Sequence, residues 1–364
     1  MSGRGVPVIG VDARELLGAK TGVGRYLGEM LQRWTGRPDA ASRRFVLYSP
    51  EPLQLEMGPG CEQRVIPGGR GTWWEQARLR AAVNADAPDV FFAPAYTAPV
   101  ALRVPFAVTI HDVSFSAHPE WFRWREGTRR RWLTRRAAVS AGVVFTDSEF
   151  SRHEIERHYR VPSARIEVIA PGLTPRLAGL HTQREPIVLY SGSRFNRRRL
   201  PDLIAAFALA ARDLPLARLV IVGEDRTWPR QDLATVARAH GVSGRMELRQ
   251  YASDEQLASL YARASAFAFL SEYEGFGLTP LEALAAGVPV VVLDTAVARE
   301  VYGPAARYVA KGDVPGAAEL LRQFLTSPQA GAEQLEQAPA ILARYSWDGA
   351  AGRTLAALER IASR

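Results

Sequence analysis

The feature of this sequence that most constrains its fold is the alternation of short, continuous apolar runs with longer amphipathic ones. The apolar runs lie at 8–11, 45–48, 90–93, 106–110 and 143–146, then at 187–191, 219–222, 246–248, 267–270 and 288–293. Strands that are apolar on both faces belong in buried parallel sheets, and parallel neighbours need helical crossovers between them. The pattern therefore predicts an α/β architecture built twice, as two doubly wound parallel-sheet domains. Turn-forming residues across 171–186, including the polar segment 181–185 that begins at His181, mark the boundary. They divide the chain into a first domain at 1–178 and a second at 179–345. A closing helix follows at 346–364, with Trp347, Leu355, Leu358 and Ile361 on its apolar face.

Composition agrees with that size of core. The chain has 364 residues, 47% hydrophobic and 23% charged, which suits two folded domains and excludes a disordered chain. Lysine and arginine number 46 against 38 acidic residues, a net charge of +8 that favours phosphate-bearing or membrane-surface partners. Only Lys20 and Lys311 are lysines, so nearly all of the positive charge is arginine, whose planar fork takes phosphate oxygens in pairs. Cys61 is the single cysteine, which excludes an intrachain disulfide and a cysteine zinc site and suggests a cytoplasmic setting. Residues 1–14 lack the pattern of a signal peptide, and no apolar run approaches the length of a membrane span, so any membrane contact is expected to be peripheral.

The segment richest in chemistry is Ser271-Glu-Tyr-Glu-Gly-Phe-Gly-Leu-Thr-Pro-Leu-Glu. A buried strand leads into a glycine-containing loop and then a helix expected to begin near Pro280 and to end by Gly287. In an open parallel sheet such a loop lies at the carboxyl edge, where ligands bind. The amides of Gly277, Leu278 and Thr279 at a helix start would suit a diphosphate. Glu282 has a plain structural reading as the last member of a capping box begun by Thr279, with Pro280 at the first helical position. Glu274, flanked by Gly275 and Gly277, is a carboxylate that a ligand can approach and that can accept hydroxyl hydrogen bonds.

This segment resembles the signature of retaining family-4 glycosyltransferases, two glutamates separated by seven residues, and most of the chain is similar to bacterial mannosyltransferases of that family. The resemblance implies that Glu274 takes the donor sugar's hydroxyls and Glu282 the nucleotide ribose, while the amides of Phe276, Gly277, Leu278 and Thr279 hold the diphosphate. Thr279 stands where many members have proline. The strand at 187–192, followed by Ser193-Arg-Phe-Asn-Arg-Arg-Arg-Leu, resembles the family's donor-phosphate loop, with Arg198 at its lysine position and Arg194 the best match for its earlier basic residue. Arg197 and Arg199 read equally well as a solvated basic loop. Gly22 and Gly24, in Thr21-Gly-Val-Gly-Arg-Tyr ahead of a helix at 26–34, resemble the glycine loop that approaches the donor. Their spacing, Gly22, Gly24 and Gly28, departs from the dinucleotide fingerprint. His111, after the strand at 106–110, matches a histidine that lies next to the sugar, with Asp112 placed to orient it.

The implied architecture is the GT-B fold, two facing Rossmann-like domains with the acceptor on the first, the nucleotide sugar on the second and the closing helix crossing back. No Asp-x-Asp pair occurs, and the histidines lack metal-ligand spacing, so no metal and no cofactor are expected, only a nucleoside-diphosphate sugar as substrate. Catalysis would rest on His111, Glu274 and Arg198. The expected reaction is retaining hexosyl transfer, mannose from GDP-mannose as first choice, to a hydroxyl of a glycan or lipid-linked acceptor in polysaccharide biosynthesis. An epimerase or phosphorylase of the same fold, or a non-catalytic nucleotide-binding protein, is the alternative. The segment 121–136 holds seven arginines against Glu126, interleaved with Trp121, Trp124 and Trp132. It reads as a surface helix, with peripheral contact to an anionic membrane at the inner face as its functional use. Nucleic acid is not an expected partner.

Overall fold

All ten apolar runs form strands in the computed structural model, which describes residues 6–18, 22–54, 58, 60–174 and 183–363. Thr21, Lys20 and the boundary residues 175–182 lie outside the described residues. The chain divides into two units. One comprises Met1–Pro119, Trp124–Gly172 and Tyr345–Arg364, the other Glu120–Arg123 and Leu173–Arg344.

The first unit is built on β1 (Val8–Asp12), β2 (Arg44–Ser49), β3 (Cys61–Val65), β4 (Val90–Ala93), β5 (Phe106–Thr109), β6 (Val143–Thr146) and β7 (Ile166–Val168). Among the described residues these make one parallel sheet in the order β3-β2-β1-β4-β5-β6-β7. The order reverses between β1 and β4, the switch point of a doubly wound sheet. The second unit contains β8 (Glu185–Ser191), β9 (Arg218–Val222), β10 (Met246–Arg249), β11 (Ala264–Phe269), β12 (Val290–Leu293) and β13 (Arg307–Val309). Its parallel sheet runs β10-β9-β8-β11-β12-β13, with the switch between β8 and β11.

Three strands, β3, β7 and β13, carry no apolar run, and all three are sheet edges. An edge strand is covered on fewer sides, so Cys-Glu-Gln-Arg-Val and Ile-Glu-Val serve there without continuous hydrophobicity. The central strands of both sheets are buried throughout, and their helices pack on both faces.

The last helix, Trp347–Ala362, belongs to the first unit. Ser346 caps it, its hydroxyl accepting the Gly349 amide at 3.3 Å. Trp347, Ala351, Leu355 and Leu358 recur at helical spacing and are buried against the helix Gly22–Thr35 and the sheet. Trp34 anchors that contact, stacking on Phe45 at 5.6 Å and donating its indole N–H to the Ala351 carbonyl at 2.9 Å.

Candidate active site

In the second unit β8 and β11 lie side by side with Phe267 opposite Leu189, so the loops that leave their carboxyl ends emerge together. After β8, Gly192 takes φ +139°, and a Cβ there would collide with Nη1 of Arg198; only glycine lets that guanidinium lie across the backbone. The turn Asn196–Arg198 then aims Arg198 back at the strand. Its Nη1 donates to the Tyr190 hydroxyl at 3.2 Å and its Nη2 to Glu274 Oε2 at 3.2 Å. Its Nε lies 2.9 Å from Glu274 Oε1, close enough for an ion pair although not aligned as a hydrogen bond. The guanidinium sits 4.7 Å from the Phe269 ring, which itself stacks on Tyr190. Burial works against the Arg198 charge, but Glu274 and Tyr190 outweigh it and raise its pKa above the ordinary arginine value. Burial likewise raises the Tyr190 hydroxyl, with Arg198 opposing.

Arg194 and Arg197 complete a cationic set. They are only 5% and 8% exposed, and the Nε of each is buried without a hydrogen-bond partner. Arg197 Nε lies 3.9 Å from Glu274 Oε1, and its guanidinium lies 4.5 Å from the Phe195 ring. The solvated-loop reading of Arg197 is therefore corrected, because the turn folds this side chain inward. Arg199 has a structural use, pairing with Asp202 and with Glu272 at 2.6 Å. Arg194 bridges to Asp225 beyond β9, its amide donating to the Glu224 carbonyl at 2.8 Å. The Ser193 carbonyl accepts the Tyr190 hydroxyl at 3.0 Å.

The loop after β11 is pinned from several directions. Ser271 Oγ donates to Glu274 Oε1 at 2.7 Å, and the Glu272 amide donates to the Arg197 carbonyl at 2.8 Å, tying this loop to the turn after β8. Glu272 also accepts Lys311 Nζ at 2.6 Å. Burial opposes its charge, yet Lys311 and Arg199 hold its carboxyl below the usual range.

The helix that follows starts two residues earlier than expected, at Leu278, and runs to Ala285. Gly277 precedes it at φ +89°, and the Tyr302 hydroxyl donates to the Gly277 carbonyl at 2.9 Å where a side chain would otherwise sit. The expected capping box is thus corrected. Thr279 lies inside the first turn with its hydroxyl buried and unpartnered, and Pro280, which has no N–H to leave unpaired, falls within that same turn. Glu282 accepts the Tyr261 hydroxyl at 3.2 Å instead of capping a backbone amide. Gly275 and Phe276 are buried, and Leu278 is half-buried.

In the first unit the carboxyl edge of the sheet carries His111 after β5. Its Nδ1 lies 2.8 Å from Asp147 Oδ2 and its Nε2 lies 3.0 Å from the Pro94 carbonyl. Asp112, expected to orient it, does not. Its Oδ1 accepts the Ser114 amide at 2.7 Å and its Oδ2 accepts the Tyr96 hydroxyl at 3.2 Å. Tyr26 and Tyr96 present their rings to the imidazole at 5.1 and 5.5 Å. Burial lowers the His111 pKa, but the Asp147 charge and hydrogen bond more than reverse this and raise it. At the switch point of the same sheet, Arg14 pairs with Asp12 at 2.9 Å and with Glu75 at 2.6 Å, all three buried. Gly22 and Gly24 occupy the first turn of the helix Gly22–Thr35, not a loop; Gly22 is exposed and Gly24 buried.

The basic segment becomes the helix Trp124–Ser140 of the first unit. Trp121 and Arg123 count with the second unit, where Trp121 meets Tyr273 edge-on at 6.4 Å and Arg123 lies 4.5 Å over Trp228. The helix buries Gly127, Leu133, Thr134, Ala137 and Ala138 and turns Trp124 and Trp132, 76% and 56% exposed, outward with Val139. No helix among the described residues is long and apolar enough to cross a membrane.

Two family sequence patterns match the chain in tandem, "Glycosyltransferase Family 4" over residues 21–177 and "Glycosyl transferases group 1" over residues 178–340. Among curated relatives, the chain is 28% identical over 266 residues to an O-antigen chain mannosyltransferase B of Escherichia coli, covering 68% of each chain. It is 28% identical over 213 residues to a GDP-mannose:cellobiosyl-diphosphopolyprenol alpha-mannosyltransferase of Komagataeibacter xylinus, covering 57% of this chain and 52% of that one. The fold matches that of Anabaena HepE, solved in complex with UDP-glucose, with a TM-score of 0.72, 18% identity and coverage of 97% and 100%.

Proposed function

The chain belongs to the group-1, family-4 glycosyltransferases, a GT-B enzyme, and from that premise we propose that it moves a hexose, mannose from GDP-mannose, onto a hydroxyl of a glycan or lipid-linked acceptor with retention of configuration. The observation that carries this is the pairing of Arg197 and Arg198 with Glu274 at the switch point of the second sheet, with the buried Arg194 on the same loop after β8. All three arginines keep a buried Nε with no hydrogen-bond partner, and an anionic ligand would supply one.

The reading assigns the diphosphate to the three guanidinium groups and to the amides at the start of the helix Leu278–Ala285, between them offsetting the charge that builds on the leaving group. Glu274 would accept sugar hydroxyls and Glu282 the ribose, and His111 would contact the transferred sugar. Arginines and amides would stand in for a divalent cation, so turnover should survive a chelator. Mannose and GDP are supported by the names of the mannosyl-transferring relatives; the UDP-glucose complex of the Anabaena protein makes UDP the donor nucleotide to compare. The exposed indole face of the helix Trp124–Ser140, ringed by arginines, would place the enzyme on an anionic membrane surface.

The test is a panel of GDP- and UDP-sugars with glycan and polyprenyl-linked acceptors, read as nucleotide release, alongside thermal melting with GDP or UDP. GDP should raise the melting midpoint more than UDP, because stabilisation reports affinity for the folded state. Equal or reversed shifts would remove the GDP assignment, and no release under any condition would remove the transfer itself.

A further inference from the structure

Both hydrogen-bond partners of His111 are acceptors. Nδ1 faces the Asp147 carboxylate at 2.8 Å and Nε2 faces the Pro94 carbonyl at 3.0 Å. A neutral imidazole has one N–H and one lone pair, so either tautomer would set a lone pair against an acceptor; the doubly protonated ring satisfies both. The arrangement is held by backbone, not by chance rotamers. β5 and β6 pair with Thr109 opposite Phe145, which puts positions 111 and 147 abreast two residues beyond that pair. The Ile110 amide donates to the Phe145 carbonyl at 2.9 Å, Thr146 Oγ1 donates to the Ile110 carbonyl at 2.8 Å, and Ser151 Oγ donates to the His111 carbonyl at 3.3 Å. The other Asp147 oxygen is buried without a hydrogen-bond partner, so its charge is answered through the histidine.

We propose that Asp147 is a positioning residue that holds His111 as an imidazolium through the neutral range, so that His111 meets the transferred sugar as a hydrogen-bond donor and not as a base. The part concerning the sugar rests on the glycosyl-transfer reading above; the part concerning protonation does not. The groups facing the ring are Asp147 from the end of β6, Asp112 beside it in the chain, Tyr26 from the helix Gly22–Thr35 and Tyr96 from the loop after β4. Of these, Asp147 is the carboxylate bonded to the ring, and its influence is in the direction that keeps the proton on. To touch a sugar oxygen, Nε2–H exchanges the Pro94 carbonyl for it and remains the donor.

The experiment is an NMR titration of the protein with isotope-labelled histidine, His111 being assigned by its loss in His111→Gln, in the wild type and in Asp147→Asn. The asparagine keeps an acceptor for Nδ1–H and removes the charge. The His111 midpoint should lie above about 6.5, the ordinary histidine value, in the wild type and fall by about one unit or more in the variant. The alkaline limb of kcat/KM should move down with it, a shift that a purely structural role would not give. Equal midpoints, or a neutral ring in the wild type at pH 6.5, would overturn the proposal; that second measurement needs no variant to fold. Unchanged transfer by His111→Gln would overturn its sugar contact. A wild type that transfers nothing would sink the glycosyl-transfer reading while the titration still decides the role of Asp147.

Discussion

Arg198 and Glu274 stand 76 residues apart in the chain and form one ion pair, with Nε 2.9 Å from Oε1 and Nη2 3.2 Å from Oε2, over the face of Phe269. Removing one partner of such a pair strands the other charge in a buried place, at a cost of about 3–5 kcal/mol. Glu274→Ala should therefore lower the melting midpoint by of order 10 °C and cut transfer by about 100-fold or more. GDP should restore more of the lost stability in the variant than it adds to the wild type, since a diphosphate returns negative charge to Arg198. Glu274→Gln, with an acceptor but no charge, should fall between. Melting curves with and without GDP check this; a Glu274→Ala protein that melts and turns over like the wild type would remove Glu274 from the site.

Asp12 supplies a pH dependence of stability. Burial, partly opposed by the charge of Arg14, pushes its carboxyl up from 3.8 to about 6. The folded protein then holds this proton more tightly than the unfolded chain does. The contribution is fully present below about pH 3.8 and is lost as pH rises through about 6. A difference of about 2 pKa units corresponds to about 3 kcal/mol. Asp12→Asn imitates the protonated form, so its stability relative to wild type should improve by up to about 3 kcal/mol between pH 4 and 7. Urea unfolding of both proteins across that range measures it, and a gap independent of pH would contradict it.

The exposed face of the helix Trp124–Ser140 yields the third prediction. Trp124, Thr128, Trp132, Arg135 and Val139 follow one another at steps of three or four residues, so they share one side, with Arg125, Arg129 and Arg136 alongside. Indoles settle at the headgroup level, and each cation near an anionic surface adds about 1 kcal/mol. The protein should sediment with vesicles containing phosphatidylglycerol, less so as salt rises, and little with pure phosphatidylcholine. Trp124→Ala combined with Trp132→Ala should reduce binding at least about tenfold while leaving the melting midpoint within a few degrees, since both side chains are exposed. Equal binding by the double variant would assign this face another use.

Much of the site was legible one residue at a time. Glu274 stood out because glycines flank it, Arg198 because it follows a buried strand in a basic loop, and His111 because it ends one. Their partners were not legible in the same way. Asp112 was the natural choice to orient His111, but successive residues of an extended chain point to opposite sides, and the carboxylate that reaches the ring comes from the neighbouring strand. Thr279 looked like a cap by its spacing from Glu282, yet the left-handed Gly277 starts the helix first. Arg197 looked like one more solvated arginine, and burial alone distinguishes it from Arg199.

The sequence by itself determined the class of structure, because the period of its apolar residues is a local property: continuous runs demand buried parallel strands, and the amphipathic stretches between them demand crossovers. Tertiary structure alone decided which side chains meet. Placing β8 beside β11 brings Arg198 to Glu274, and the register of β5 on β6 sets His111 against Asp147. Strand order and register arise from packing among segments far apart in the chain, and no local pattern encodes them.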